Sequence, residues 1–180
     1  MKLLLDIGNS RLKWALAHDG ELRTTGWCPH QGRLPPELAQ QWSQLASPDE
    51  VCAVSVAASE LWEELVAWAG ARWNLTPVWI RTPGKGGGVR VGYSQPETLG
   101  TDRWAAMAGA ARRGMLPACV VDCGTAATLD AVDAAGTHLG GMIVPGLSTM
   151  RRSLNQQTHG LPSVGDGSVT PLALDTTTAI

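Results

Sequence analysis

A short pattern occurs twice in this chain, 116 positions apart: Asp6-Ile7-Gly8-Asn9 is matched by Asp122-Cys123-Gly124-Thr125. The match extends to Ala15-Leu16 against Ala131-Val132, and to Gly20 against Gly136. In each copy an apolar run enters Asp-x-Gly-polar, a second run follows, and a glycine turn leads to a third, so both read strand, turn, strand, turn, strand. A repeat so widely spaced is too long for a solenoid unit. It reads as a duplicated lobe, and two copies facing each other would set two Asp-x-Gly turns across one cleft.

Such turns suit phosphate. Glycine lets backbone amides approach an anion without a Cβ in the way, and consecutive amides form an anion nest. Asn9, Ser10, Thr125 and Thr128 add neutral donors, and Lys13 adds a positive charge one strand away. The carboxylates of Asp6 and Asp122 are not phosphate ligands, but they can hold a cation or its waters against phosphates. Phosphoryl transfer is mostly positioning and charge stabilisation, so these parts suit an ATP-clamping enzyme that phosphorylates a small metabolite. Neither a Walker A motif nor a GxGxxG signature is present: Gly84-Lys85 lacks the upstream glycine and the following Ser/Thr. Residues 82–88 (TPGKGGG) read as a mobile loop, either a lid or a plain connector.

Around the repeat, strands alternate with helices. Strands are expected over 2–7, 11–17 and 21–27, with a tight turn at Asp19-Gly20, then over 51–56, 78–81, 118–121, 128–132 and 138–144. Helices are expected over 35–45, 59–70 and 147–154, and from a cap at Thr101, with Trp104, Met107, Ala108 and Ala111 on one side. Residues 160–175 read as loop. The pattern is that of an α/β protein whose mixed sheets carry flanking helices.

Composition narrows the partners. A net charge of −2 gives no footprint for nucleic acid or an anionic membrane. No apolar run nears the roughly 20 residues of a membrane span, and the run at residues 3–5 is too short for a signal peptide. The expected compartment is the cytoplasm. Cys28, Cys52, Cys119 and Cys123 include no CxxC pair and read as small buried hydrophobes in a reducing cytosol. Eight Trp with one Tyr and no Phe point to core or subunit-interface packing.

Four motifs in order, DIGNSRLKW (6–14), YSQPETLGTDRW (93–104), DCGTAATLD (122–130) and GGMIVPG (140–146), resemble those of the type III pantothenate kinases, with DTTTAI (175–180) as a fifth. The family belongs to the acetate-kinase, sugar-kinase and actin superfamily. The resemblance implies duplicated actin-like (ribonuclease H-like) lobes, here 1–115 and 116–180. It also implies transfer of phosphate from ATP to the terminal hydroxyl of pantothenate, the first step towards coenzyme A. By that resemblance Asp6, Gly8, Asn9, Ser10, Arg11, Lys13 and Thr125 contact ATP, held with Mg2+. Tyr93, Gly100, Thr101, Asp102, Arg103 and Thr176 form the pantothenate site, with Asp102 as general base. Asp122 matches the ligand of a monovalent cation, K+ or NH4+, and the family is homodimeric. From the residues alone, Asp102 could equally support the start of its helix. Arg103 could clamp a carboxylate or form a surface ion pair. Such enzymes continue several tens of residues past the fifth motif, so the second lobe is expected to be incomplete here, which bears on adenine binding, lobe closure and activity. A non-catalytic accessory member, or a kinase of another small metabolite, is the alternative.

Overall fold

A computed structural model describes residues 1–55, 59–162 and 173–180. The first three strands, β1 (Lys2–Ile7), β2 (Arg11–His18) and β3 (Glu21–Pro29), form the expected antiparallel meander. β4 (Glu50–Ser55) joins the free edge of β1 in parallel and β5 (Val78–Trp79) extends it, giving the order β3-β2-β1-β4-β5. Residue 56, expected at the end of β4, lies outside the described residues.

Side-chain alternation decides which face of this sheet is buried. Leu3, Leu5 and Ile7 of β1 and Leu12, Trp14 and Leu16 of β2 share one core with Val51 and Ala53. Over them lie α1 (Pro36–Ser43), which contributes Leu38 and Trp42, and α2 (Ser59–Trp73), which contributes Leu61, Leu65, Ala69 and Trp73 at helical spacing. Pro36 starts α1 where its missing N–H costs nothing. Trp42 is fully buried, edge-on to Trp14 and tilted against Trp68. Trp14, Trp42 and Trp73 therefore serve the core of this half, with Trp62 and Trp68 packed against it, while Trp27 is exposed.

Residues 82–88 differ from the expected mobile loop. They form most of a small hairpin, β6 (Lys85–Gly86) and β7 (Val89–Arg90), with Gly87 and Gly88 at positive φ in its turn. A Cβ on Gly87 would stand 2.6 Å from Ala108 Cβ, so glycine here permits close packing on the next helix rather than mobility. That helix, α3 (Thr101–Arg112), has Gly100 at its N-cap with no side-chain cap. Thr101 is its first residue, not the cap, and its hydroxyl lies 3.2 Å from Thr82 Oγ1. Met107 joins Val89, Val91, Leu99 and Val132 in a second core, with Trp104, Ala111 and Tyr93 against it.

The second sheet is β8 (Ala118–Cys123), β9 (Ala126–Val132) and β10 (His138–Pro145), antiparallel in the order β10-β9-β8. α4 (Leu147–Gln157) follows it, and α5 (Thr176–Ala179) is a single turn. Most of the expected loop over 160–175 lies outside the described residues. One face of β8 is open, so Cys119 and Cys123 are exposed with Val121, against the expectation of buried thiols; Cys28 and Cys52 are half-buried.

The two halves repeat with a slip. Asp6 pairs with Lys13, but Asp122 pairs with Thr128, because the second turn is one residue shorter. Leu3 faces Leu16 while Cys119 faces Ala131, so the structural counterpart of Leu16 is Ala131 and that of Ala15 is Asp130. The sequence match of Ala15-Leu16 with Ala131-Val132 is therefore one position out of register. A longer second hairpin restores the spacing, and Gly20 and Gly136 do share a left-handed conformation, φ 79° and 81°.

Candidate active-site cleft

The two Asp-x-Gly turns face one cleft of about 1050 Å³. Asp6, Gly8, Asn9, Ser10, Arg11, Lys13, Asp102, Asp122 and Thr125 all line it. Each turn is closed by its glycine amide, Gly8 N–H to the Arg11 carbonyl at 3.0 Å and Gly124 N–H to the Ala126 carbonyl at 2.9 Å. The turns touch through Ser10 Oγ and Thr125 Oγ1, 3.1 Å apart. α4 starts directly beneath the second turn: Gly146 N–H and the Thr149 hydroxyl both donate to the Thr125 carbonyl, at 3.0 and 2.7 Å. A Cβ on Gly146 would run into the Gly124 carbonyl, so only glycine allows this approach.

Charge in the cleft is mixed. Lys13 Nζ donates to Asp6 Oδ2 at 3.0 Å, across the ladder pair that joins β1 to β2. That hydrogen bond raises the Lys13 pKa above the ordinary lysine value; partial burial opposes it, and the charges of Asp6, Asp122 and Asp102 add to it. Asp102 enters from the first turn of α3, and its Oδ1 accepts the Arg103 N–H at 2.8 Å. Asp102 thus lines the cleft and also accepts an amide at the start of its helix. Sequence reading passed over Arg152 and Asn155 of α4, which also line the cleft. The available signal was a helix directly after Pro145-Gly146 with no acidic residue in its first turn and two arginines in its middle.

Behind Asp102 lies a buried polar cluster. Arg103 donates through Nε and Nη2 to the two carboxylate oxygens of Asp130, at 2.8 and 2.6 Å, and through Nη1 to the Tyr93 hydroxyl at 3.2 Å. His138 Nε2 lies 2.9 Å from Asp130 Oδ1, and its ring stacks on Tyr93. Asp130, His138 and Arg103 are 2%, 1% and 7% exposed. The Asp130 fork holds the Arg103 guanidinium still more firmly protonated than usual. The surface ion pair considered for Arg103 is absent; its carboxylate partner is internal and buried. Asp130 and His138 went unassigned from sequence, although an aspartate inside the apolar run 128–132 was a visible oddity.

Tyr93, Gly100, Thr101 and Arg103 do not line the cleft. Asp102, between Thr101 and Arg103, is the member of that group that does. Thr176 is exposed in α5 and is not among the lining residues. Among the described residues no three His, Cys, Asp or Glu side chains cluster as a metal cage, and no helix is long and apolar enough to cross a membrane.

Repeated strand-turn-strand units that enclose carboxylates, hydroxyls and cations make this an actin-like α/β fold of the phosphotransferase class. The sequence profile of the type III pantothenate kinases matches residues 2–180, and the chain belongs to that family. Members of the family are kinases that phosphorylate pantothenate in coenzyme A biosynthesis. The type III pantothenate kinase of Nitrosococcus oceani is 36% identical, over 99% of this chain and 70% of that enzyme. That of Paraburkholderia phytofirmans is 39% identical, over 90% of this chain and 60% of the enzyme. That of Herminiimonas arsenicoxydans is 40% identical, over the whole chain and 73% of the enzyme. This chain thus spans between 60% and 73% of the length of these relatives. Among solved structures, a Baf-family protein of Campylobacter jejuni, described as a transcriptional activator, superimposes with a TM-score of 0.57 at 21% identity, over 98% of this chain and 70% of that one. At that identity the likeness speaks for the fold.

Proposed function

We propose that this chain binds ATP in the cleft and transfers its terminal phosphoryl group to the terminal hydroxyl of pantothenate, giving 4′-phosphopantothenate. The observation that carries the reading is the meeting of Asp102 with both Asp-x-Gly turns around one cleft. Asp6, Gly8, Asn9, Ser10, Arg11, Lys13 and Thr125 hold the phosphates through amides, hydroxyls and cations. One or two carboxylates beside phosphate oxygens and water is the donor set Mg2+ favours, and Asp6 supplies such a carboxylate. Mg2+ bound there neutralises phosphate charge. Asp122 faces Thr128 rather than a lysine, which leaves its charge for a monovalent cation, K+ or NH4+.

Asp102 accepts the hydroxyl proton as the new O–P bond forms and the bond to ADP breaks. The acceptor side is assigned around Asp102, the member of its group that lines the cleft. Gly100, Thr101 and Arg103 adjoin it at the start of α3, Tyr93 holds Arg103 from behind, and Thr176 joins them by family resemblance. Asp130 fixes Arg103 so that the first turn of α3 keeps one position. The reading includes two lobes, 1–115 and 116–180, a homodimer with the acceptor site near the subunit interface, and a cytoplasmic enzyme with no nucleic-acid or membrane partner.

The test mixes purified protein with ATP, Mg2+, pantothenate and K+ or NH4+, and follows ADP. Pantothenate-dependent ADP release is expected. None under either cation rejects the kinase reading for this chain. Tight binding of both substrates without turnover would instead mark an accessory member, and turnover of a different small hydroxyl compound would move the substrate.

A further inference from the structure

His30 sits just beyond β3, half-buried, against the first turn and outside the lining of the cleft. Three contacts tie it down. Its Nε2 lies 2.7 Å from the Gly8 carbonyl, its Nδ1 accepts the Gly32 N–H at 3.1 Å, and its own N–H donates to the Ser10 carbonyl at 3.2 Å. A backbone amide can only donate and a carbonyl can only accept. The partners therefore assign the neutral ring with its proton on Nε2. Gly32 reaches Nδ1 from a left-handed conformation, φ 81°, which glycine adopts without strain.

A trans peptide is planar, and its C=O and N–H point to opposite edges. Binding the Gly8 carbonyl from behind therefore turns the Asn9 N–H the other way. Binding the Ser10 carbonyl does the same for the Arg11 N–H. Gly8, Asn9, Ser10 and Arg11 line the cleft and His30 does not, so the opposite way is toward the cleft. The Gly8 N–H is already committed to Arg11, which fixes the peptide before Gly8 but not the one after it. Glycine's wide φ/ψ freedom would let that Gly8–Asn9 peptide flip and aim a carbonyl at an incoming anion.

We infer that His30 is a positioning residue: it locks the Gly8–Asn9 peptide so that the Asn9 amide is presented to the phosphates of a nucleotide. The inference rests on the reading of this cleft as an ATP site. The test measures ATP affinity of the full chain in Mg2+ by titration calorimetry, beside KM for ATP and for pantothenate. His30→Ala is expected to weaken ATP binding roughly ten-fold, the scale of one hydrogen bond to a charged group. KM for ATP should rise and KM for pantothenate should stay. His30→Gln, whose Nε2 can reach the Gly8 carbonyl, should recover most of the loss, and the shorter His30→Asn should not. Wild-type affinity in His30→Ala overturns the inference, as does a loss that Gln and Asn share equally, since the ring then only fills space. If His30→Ala fails to fold, the contrast between Gln and Asn decides. A wild type that binds ATP but never phosphorylates pantothenate refutes the proposed function alone, because the calorimetric series still reads His30. A wild type that binds no ATP overturns both.

Discussion

The hydroxyl oxygens of Ser10 and Thr125 lie 3.1 Å apart, so the two repeated turns are joined side chain to side chain at the cleft. Both groups are exposed, and the bond adds little stability, within about 1 kcal/mol. A bound phosphate would compete for the same hydroxyls. Ser10→Ala and Thr125→Ala should each weaken ATP binding several-fold, and the double variant should lose less than the two losses combined, a coupling of about 0.5 kcal/mol or more. A double-mutant cycle on ATP affinity measures it; strict additivity would mean that the hydroxyls act separately.

Asp102→Asn keeps the shape of the side chain and an oxygen for the Arg103 amide, but removes the base. Pantothenate-dependent turnover should fall by about 10²–10⁴ with ATP affinity nearly unchanged. Steady-state kinetics with parallel ATP titration checks this, and a fully active Asn variant rejects the base assignment.

Asp130→Ala leaves the buried Arg103 guanidinium without its carboxylate and His138 without its partner. Stripping one member from a buried ion pair typically costs about 3–5 kcal/mol. Urea unfolding should show that loss, with turnover falling as well because Asp102 shares the first turn of α3. A loss under about 1 kcal/mol would show that the cluster is dispensable to folding.

Lys13 offers a pH test. Its pKa is raised in the folded state by Asp6. The stabilisation is therefore fully present below the ordinary lysine value of 10.5 and is lost as pH rises through the higher folded value. More than half of the Lys13 side chain is exposed, so the effect is small, below about 1 kcal/mol. The stability gap between wild type and Lys13→Met should stay flat between about pH 7 and 9 and close above about 10.5. Unfolding midpoints across that range measure it.

Much of the first half was legible because local rules agree there. Leu3, Leu5 and Ile7 alternate, Asp19-Gly20 is a strong hairpin signal, and α2 repeats its apolar residues at helical spacing. The cleft was legible because its walls are a repeated turn. What escaped depends on contacts between distant segments. The partner of Arg103 in α3 is 27 residues away on strand β9, and no local pattern announces such a pairing. His30 is joined to the first turn only through backbone atoms of Gly8 and Ser10, which carry no residue identity. The glycines at 86–88 suggested mobility, whereas Gly87 is there because Ala108 leaves no room for a Cβ. The register slip was hidden because one turn lost what the next regained.

That slip carries a history. Copies of one ancestral segment begin with the same neighbours around each aspartate. Gain or loss of a single codon inside a turn slides the following strand by one place and exchanges every partner across the ladder at once, where substitution would need a separate mutation for each. Here it leaves Asp6 opposite an ammonium and Asp122 opposite a hydroxyl. A one-codon difference in turn length is thus enough to give two aspartates in matching turns unlike neighbours across their ladders.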